Sequence, residues 1–418
     1  MTARSDSSFK WQFAPRFRRN SFGWKSDAPI QRIKEAIAEI KQVARKDKRL
    51  AAEGAVIFLE KLSPAIEQVD SSSGALGSAV YRAIEAMVPI VGQADVEPKV
   101  RQGWLKRLWQ AIQDDGISYI ESLADHWGEL CVEPKIAQHW IDEFRPIVEY
   151  TWGPHSNGYV YYNGTSACLS AMMAAGQYEP LLSLLELSPR KYWHDRQWGV
   201  RALVALGRKA EAIRYAEASR GINMPDGIIS RVCEEILLSS GLAEEAYPRY
   251  AIAASQGTTH LATFRAIVKK YPNKPQTEIL RDLIASTPGA EGKWFAAAKD
   301  AGLFETAIEL VNRSPTDPRT LIRAARDHAE KHPDFALAAG LAALRWMACG
   351  YGYEITEMDI LDAHNAVMKA STVAGFPAAE TQARVDEIIC GTHPMQQFMT
   401  KFLKSYLAIQ VPVSAHLR

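Results

Sequence analysis

The chain has 418 residues, 47% of them hydrophobic and 23% charged, a composition that builds a packed core and excludes wholesale disorder. Lys and Arg number 49 against 48 Asp and Glu, so a net charge of +1 gives no long-range attraction to nucleic acid or membrane, and binding of either needs a local patch. The 5 cysteines, Cys131, Cys168, Cys233, Cys349 and Cys390, form no Cys-x-x-Cys pair, which argues for reduced thiols in a cytoplasmic protein; no apolar run near the roughly 18 residues of a spanning helix is expected, and no apolar core follows the basic start as a secretory signal requires.

Residues 1–28 interleave Arg4, Lys10, Arg16, Arg18, Arg19 and Lys25 with Phe9, Trp11, Phe13, Phe17, Phe22 and Trp24. So many aromatics in a basic arm argue for docking on the body ahead of binding a partner or stacking on bases. From 29 to 150 the pattern is helical. Ile30, Ile33, Ile37, Ile40 and Ala44 recur in steps of three and four; a second helix through Leu62 breaks at Ser63-Pro64; Asp70 to Gly74 form a loop and cap before a helix carrying Leu76, Val80, Ile84, Met87 and Val91. Further helices are predicted over 100–113, 117–130 and 134–150. Residues 151–164, rich in Tyr, Gly and Pro, predict an irregular connection and a domain boundary.

The stretch 165–346 repeats a signature: an apolar helix ends at a glycine and an alanine-rich helix follows. Its glycines, Gly176, Gly207, Gly241 and Gly302, are 31, 34 and 61 residues apart, and Tyr271-Pro272 falls where the missing turn belongs. This period predicts stacked helical hairpins. First helices are expected near 165–175, 195–206, 227–240, 259–270, 291–301 and 318–331, second helices near 178–187, 209–220, 243–255, 275–286 and 304–313. Each glycine is placed where a helix end calls for the left-handed conformation. The Gly-x-Tyr-x-x-Ala-like turn entering an alanine-rich helix resembles the tetratricopeptide class in degenerate form, which implies an all-α solenoid. Lys61 to Ala65 with Asp70 to Gly74, and Lys293 to Gly302, are also similar to stretches of bacterial helical proteins, a resemblance that implies no activity. Residues 347–418 are expected to be a helical C-terminal cap.

Motifs for chemistry are sparse. His328 and His332 stand one helical turn apart, but the glutamate of a zinc peptidase would directly follow the first histidine. Gly289 to Lys293 has two residues between its glycines where a phosphate loop has four. Cys168 or Ser166 with His155 or His194 as base and Asp195 as orienter is an imaginable nucleophilic set, although Cys168 lies among apolar residues that favour a structural thiol. No metal, cofactor or catalytic residue is expected. What remains is the surface of the first helices, where Arg196, Trp198, Arg201, Arg231, Arg265, Lys293, Trp294, Arg319 and Arg323 are candidate partner-binding residues. Arginines take carboxylates as forks and tryptophans serve as anchors. The expectation is a non-enzymatic scaffold or adaptor that binds a protein or acidic peptide segment, with no membrane partner. The alternative is a nucleic-acid-binding repeat protein using basic groove and arm.

Overall fold

In the computed structural model, residues 9–153, 160–221 and 226–410 are described, and they are helices and connections with no strand. Contacts divide the chain into two units, residues 1–224 and 225–418.

In the first unit α1 (Asp27–Ala44), α2 (Lys48–Ile66), α3 (Ala75–Gly92) and α4 (Pro98–Gln113) pack around a common core. The arm, described from residue 9, is part of that core. Phe13 and Phe17 set their rings edge-on to Phe58 of α2 at 5.6 and 5.2 Å, and the amides of Gln12 and Phe13 donate to the Glu39 carboxylate on α1. Trp11 lies over Gly54, where a Cβ would come within 2.2 Å of its ring, so only glycine admits the indole. Trp24, by contrast, is 72% exposed.

Several expected features differ. The break at Ser63-Pro64 is absent, because Pro64 sits in the last turn of α2, and Ser63 Oγ donates to Asp115. A helix over 117–130 is replaced by a 3-10 turn, Glu121–His126, and a short α5 (Trp127–Cys131). Asp115 explains this: its carboxylate takes the amides of Ile117 and Ile120, folding the chain into a loop that puts Ser118 at a φ of 57°. α3 also departs from expectation, since it alone among the described helices is long and apolar enough to cross a membrane; it contains Arg82 and Glu85, and its buried residues run along one stripe. α6 (Pro134–Trp152) takes in the start of the expected connection at 151–164, of which 154–159, with His155, lie outside the described residues. Trp127 and Trp140, edge to face at 5.1 Å, join Trp109 and Phe144 in an aromatic core.

The hairpins follow. The first unit holds α7 (Gly164–Ala174) with α8 (Tyr178–Glu186) and α9 (Trp193–Ala205) with α10 (Lys209–Glu217). The second holds α11 (Asp226–Leu238) with α12 (Ala243–Ala254), α13 (His260–Lys270) with α14 (Gln276–Ala285), α15 (Phe295–Asp300) with α16 (Phe304–Arg313), and α17 (Pro318–His328) with α18 (Pro333–Ala348). α19 (Glu357–Ala374), α20 (Ala378–Ile389) and α21 (Pro394–Gln410) complete it. The architecture is an all-α helical-repeat solenoid in which, within each unit, the hairpins pack on their neighbours.

The glycines end the first helices as their chemistry requires. Gly176, Gly207, Gly241 and Gly302 have φ of 71°, 77°, 75° and 74°. At each the next amide reaches back five residues, as in Gln177 to the Met172 carbonyl at 2.9 Å and Arg208 to Leu203 at 2.8 Å, and the glycine amide bonds three back. This double bond pattern satisfies carbonyls that would otherwise be orphaned. Gly350 and Gly375 repeat it after α18 and α19. α13 ends without a glycine. There the next residue, Tyr271, sends its hydroxyl to Glu234 of α11 at 2.8 Å, and Lys270 Nζ holds the other carboxylate oxygen.

Candidate functional site

The residues expected to bind a partner divide into three groups. Trp198 and Trp294 are 4% and 3% exposed, so both are core. The Trp294 indole donates to Thr287 Oγ1 at 2.7 Å, and Trp198 is capped by the Arg201 guanidinium 4.6 Å from its ring. Trp294, in the 3-10 turn before α15, also meets the His260 ring of α13 edge-on at 4.6 Å, so neither indole stands free as an anchor. Arg196, Arg231, Arg265 and Arg319 are engaged within the fold. Arg196 lies buried 3.6 Å over the Tyr215 ring and donates to Ser219, and Arg231 points to the Ala254 carbonyl. Arg265 forks onto Asp300, and Arg319 onto Asp359 at 2.9 and 3.0 Å. Arg201, Lys293 and Arg323 are exposed. Two of the arginine forks anticipated for an external carboxylate, those of Arg265 and Arg319, are thus filled by internal ones.

The glycine segment near Lys293 is filled in the same way. The Gly289 amide donates to Glu291, and the Gly292 amide donates to Ser314 Oγ at 2.7 Å. Cys168 is buried, and loss of solvation pushes its thiol up to about 12, which makes it inert at neutral pH. No group of three or more metal-ligating side chains occurs among the described residues.

Two concavities remain. In the second unit, α16 and the start of α18 border a groove of about 670 Å³. Phe304 and Ile308, one turn apart on α16, form its floor with Phe335 and Ala338 of α18. The Phe304 and Phe335 rings lie 4.6 Å apart, and His332 packs on Phe304 at 4.4 Å. Glu305, Glu309 and Asp334 stand at the groove against Lys331. The local balance is acidic, unlike the first-helix surface read from sequence.

In the first unit, a polar cavity of about 410 Å³ opens between the 3-10 turn at 121–126 and the starts of α7 and α9. Ser170 sets this geometry: its hydroxyl donates to the Asp125 carbonyl and accepts the Gly128 amide, both at 2.9 Å. Gly128 permits the approach, since a Cβ there would meet the Ser170 carbonyl at 2.3 Å. One turn earlier on α7, Ser166 Oγ lies 2.8 Å from His194 Nε2. Asp125 Oδ1 is 3.5 Å from the same nitrogen. A Ser-His-Asp relay requires the acid on the other ring nitrogen, so the three residues are together without forming one. Asp195 lines the cavity, and burial raises its carboxyl above the usual range, against the lowering influence of His194.

No family model matches the chain, and no curated protein is similar to it.

Sequence reasoning named Ser166, His194 and Asp195 but missed Asp125, which reaches them only because Gly128 and Ser170 bring two helices into contact. It also missed the groove. Phe304 and Ile308 at i and i+4, followed on the next hairpin by Phe335, were the available signal.

Proposed function

We propose that the chain is a tetratricopeptide-like, non-enzymatic adaptor that holds a basic amphipathic helix in the groove between α16 and α18. The observation that carries this is the groove itself: an apolar floor of Phe304, Ile308, Phe335 and Ala338 beside Glu305, Glu309 and Asp334. A helix laid there would place apolar residues at three- and four-residue spacing on the floor and lysines or arginines against the carboxylates. The five free cysteines favour work in a reducing cytoplasm. The basic partner replaces the acidic segment anticipated from the arginines, because Arg265 and Arg319 already hold Asp300 and Asp359. Nucleic acid is less favoured, since Trp11, Phe13 and Phe17 are buried against the body.

The test is fluorescence anisotropy of labelled leucine-lysine and leucine-glutamate amphipathic helices against the full chain. The lysine helix is expected to bind and the glutamate helix not. Glu305→Lys with Glu309→Lys should reverse the preference. Equal binding of both helices, or binding of the lysine helix untouched by the double reversal, would sink the proposal.

A further inference from the structure

The polar cavity of the first unit holds more negative charge than its own residues satisfy. Asp195 is only 7% exposed, yet its carboxylate has no hydrogen bond or ion pair among the described residues. Asp125 Oδ1 is buried and also lacks a hydrogen bond. His194 cannot answer both carboxylates. Its Nε2 faces Ser166 Oγ at 2.8 Å and Asp125 Oδ1 at 3.5 Å, and it makes no bond to Asp195. The positive ends of α7 and α9 ease the burial of these charges, but supply no hydrogen bond to them. An unpaired buried carboxylate is costly, and that of Asp195 faces the cavity beside the part-exposed carboxylate of Asp125, which among the described residues has only His194 at 3.5 Å as a counter-charge.

We infer that this cavity is a binding site for a small organic primary ammonium ion, held between Asp125 and Asp195 with its carbon chain along Tyr162. An ammonium group fits by donor count. It has three N–H donors, enough for one oxygen of each aspartate and for a hydroxyl such as that of Ser166 or Thr165. A divalent metal fits less well, because the described acidic and histidine side chains do not gather into a ligand set. The volume of about 410 Å³ lies in the range of small-molecule sites and admits a short-chain amine with room to spare. The half-buried Tyr162 offers a ring for the carbon chain and for the cation. This site is independent of the groove in the second unit, and either proposal can fail alone.

The experiment is isothermal titration of the full chain at low salt with butylammonium, and with butanol and butyrate as neutral and anionic analogues of the same length. Butylammonium is expected to give saturable one-to-one binding and the analogues none. Asp195→Asn is expected to weaken butylammonium by at least about tenfold. The same variant should melt at an equal or higher temperature than wild type without ligand, because it removes an unpaired buried charge, and this separates loss of binding from loss of folding. Asp125→Asn should weaken binding in parallel. Absence of saturable butylammonium binding, equal binding of butanol, binding unchanged in Asp195→Asn, or displacement of butylammonium by millimolar calcium would each overturn the assignment.

Discussion

Lys270→Met tests the lock that stands where the glycine signature misses a step. Glu234 is fully buried, with Lys270 Nζ on one carboxylate oxygen and the Tyr271 hydroxyl on the other. Burial, and then the bond to Glu234, push the Tyr271 hydroxyl well above the ordinary tyrosine range, so it remains a donor. Removing the ammonium leaves a buried carboxylate with one hydroxyl as its donor. Breaking a buried pair from one side costs about 3–5 kcal/mol. The Lys270 side chain is 32% exposed, so water can approach the vacated position, which favours the lower end, about 3 kcal/mol. In a unit the size of residues 225–418 this corresponds to a fall in melting temperature of about 6–12 °C. Glu234→Leu combined with Lys270→Met removes charge and counter-charge together. It leaves the Tyr271 hydroxyl without its acceptor, at about 1–3 kcal/mol, and should be less damaging than Lys270→Met alone. Urea denaturation of the full chain, followed by far-ultraviolet circular dichroism, measures both. A single variant within about 1 kcal/mol of wild type, or a double variant worse than the single, would refute the argument.

Gly207→Ala should cost about 1–2 kcal/mol, because the new side chain meets open space and only the backbone conformation at φ 77° is penalised; Gly207→Asn should cost less, as urea midpoints will show. The Asp359 carboxyl is held at about 2, chiefly by hydrogen bonds from Arg319 and also from Thr356, against an unfolded value of about 3.9. Its contribution to stability is therefore fully present above about pH 4 and is lost as pH falls toward 2; an acid titration of Asp359→Asn by circular dichroism should be flatter across that window, and an unchanged slope would contradict the pairing. Iodoacetamide on the native chain should modify the exposed Cys349 and Cys390 and spare the buried Cys131, Cys168 and Cys233, a pattern that peptide mass spectrometry reads directly. Gly54→Ala should drive the Trp11 ring out of its seat, at about 1–3 kcal/mol, with a red shift in tryptophan emission.

The hairpins were legible because their requirement is local. A left-handed residue at a helix end tolerates glycine and little else, so Gly176, Gly207, Gly241 and Gly302 declare themselves within a few residues. The same reasoning failed at 117–130, where apolar residues at helical spacing are overruled by one side chain, Asp115, taking backbone amides. Trp198 and Trp294 show a second limit. Periodicity says which face of a helix is apolar, and says nothing of which distant segment will cover it. The polar cavity shows a third: Ser166 and His194 were visible as chemistry-bearing residues, but the partner Asp125 depends on the close approach of Gly128 to Ser170, an event between distant segments.

The open space around the hairpin glycines has a consequence for how the repeats respond to change. Gly176, Gly207, Gly241 and Gly302 would each offer a new Cβ no atom within 4 Å, so what they contribute is the backbone freedom of an achiral residue, without shared contacts. Residues that share no partners act independently. Each hairpin end can accordingly be altered by itself, and its effect will add to that of a change at any other, which makes these turns separable units of variation in a chain whose helices are otherwise bound to their neighbours.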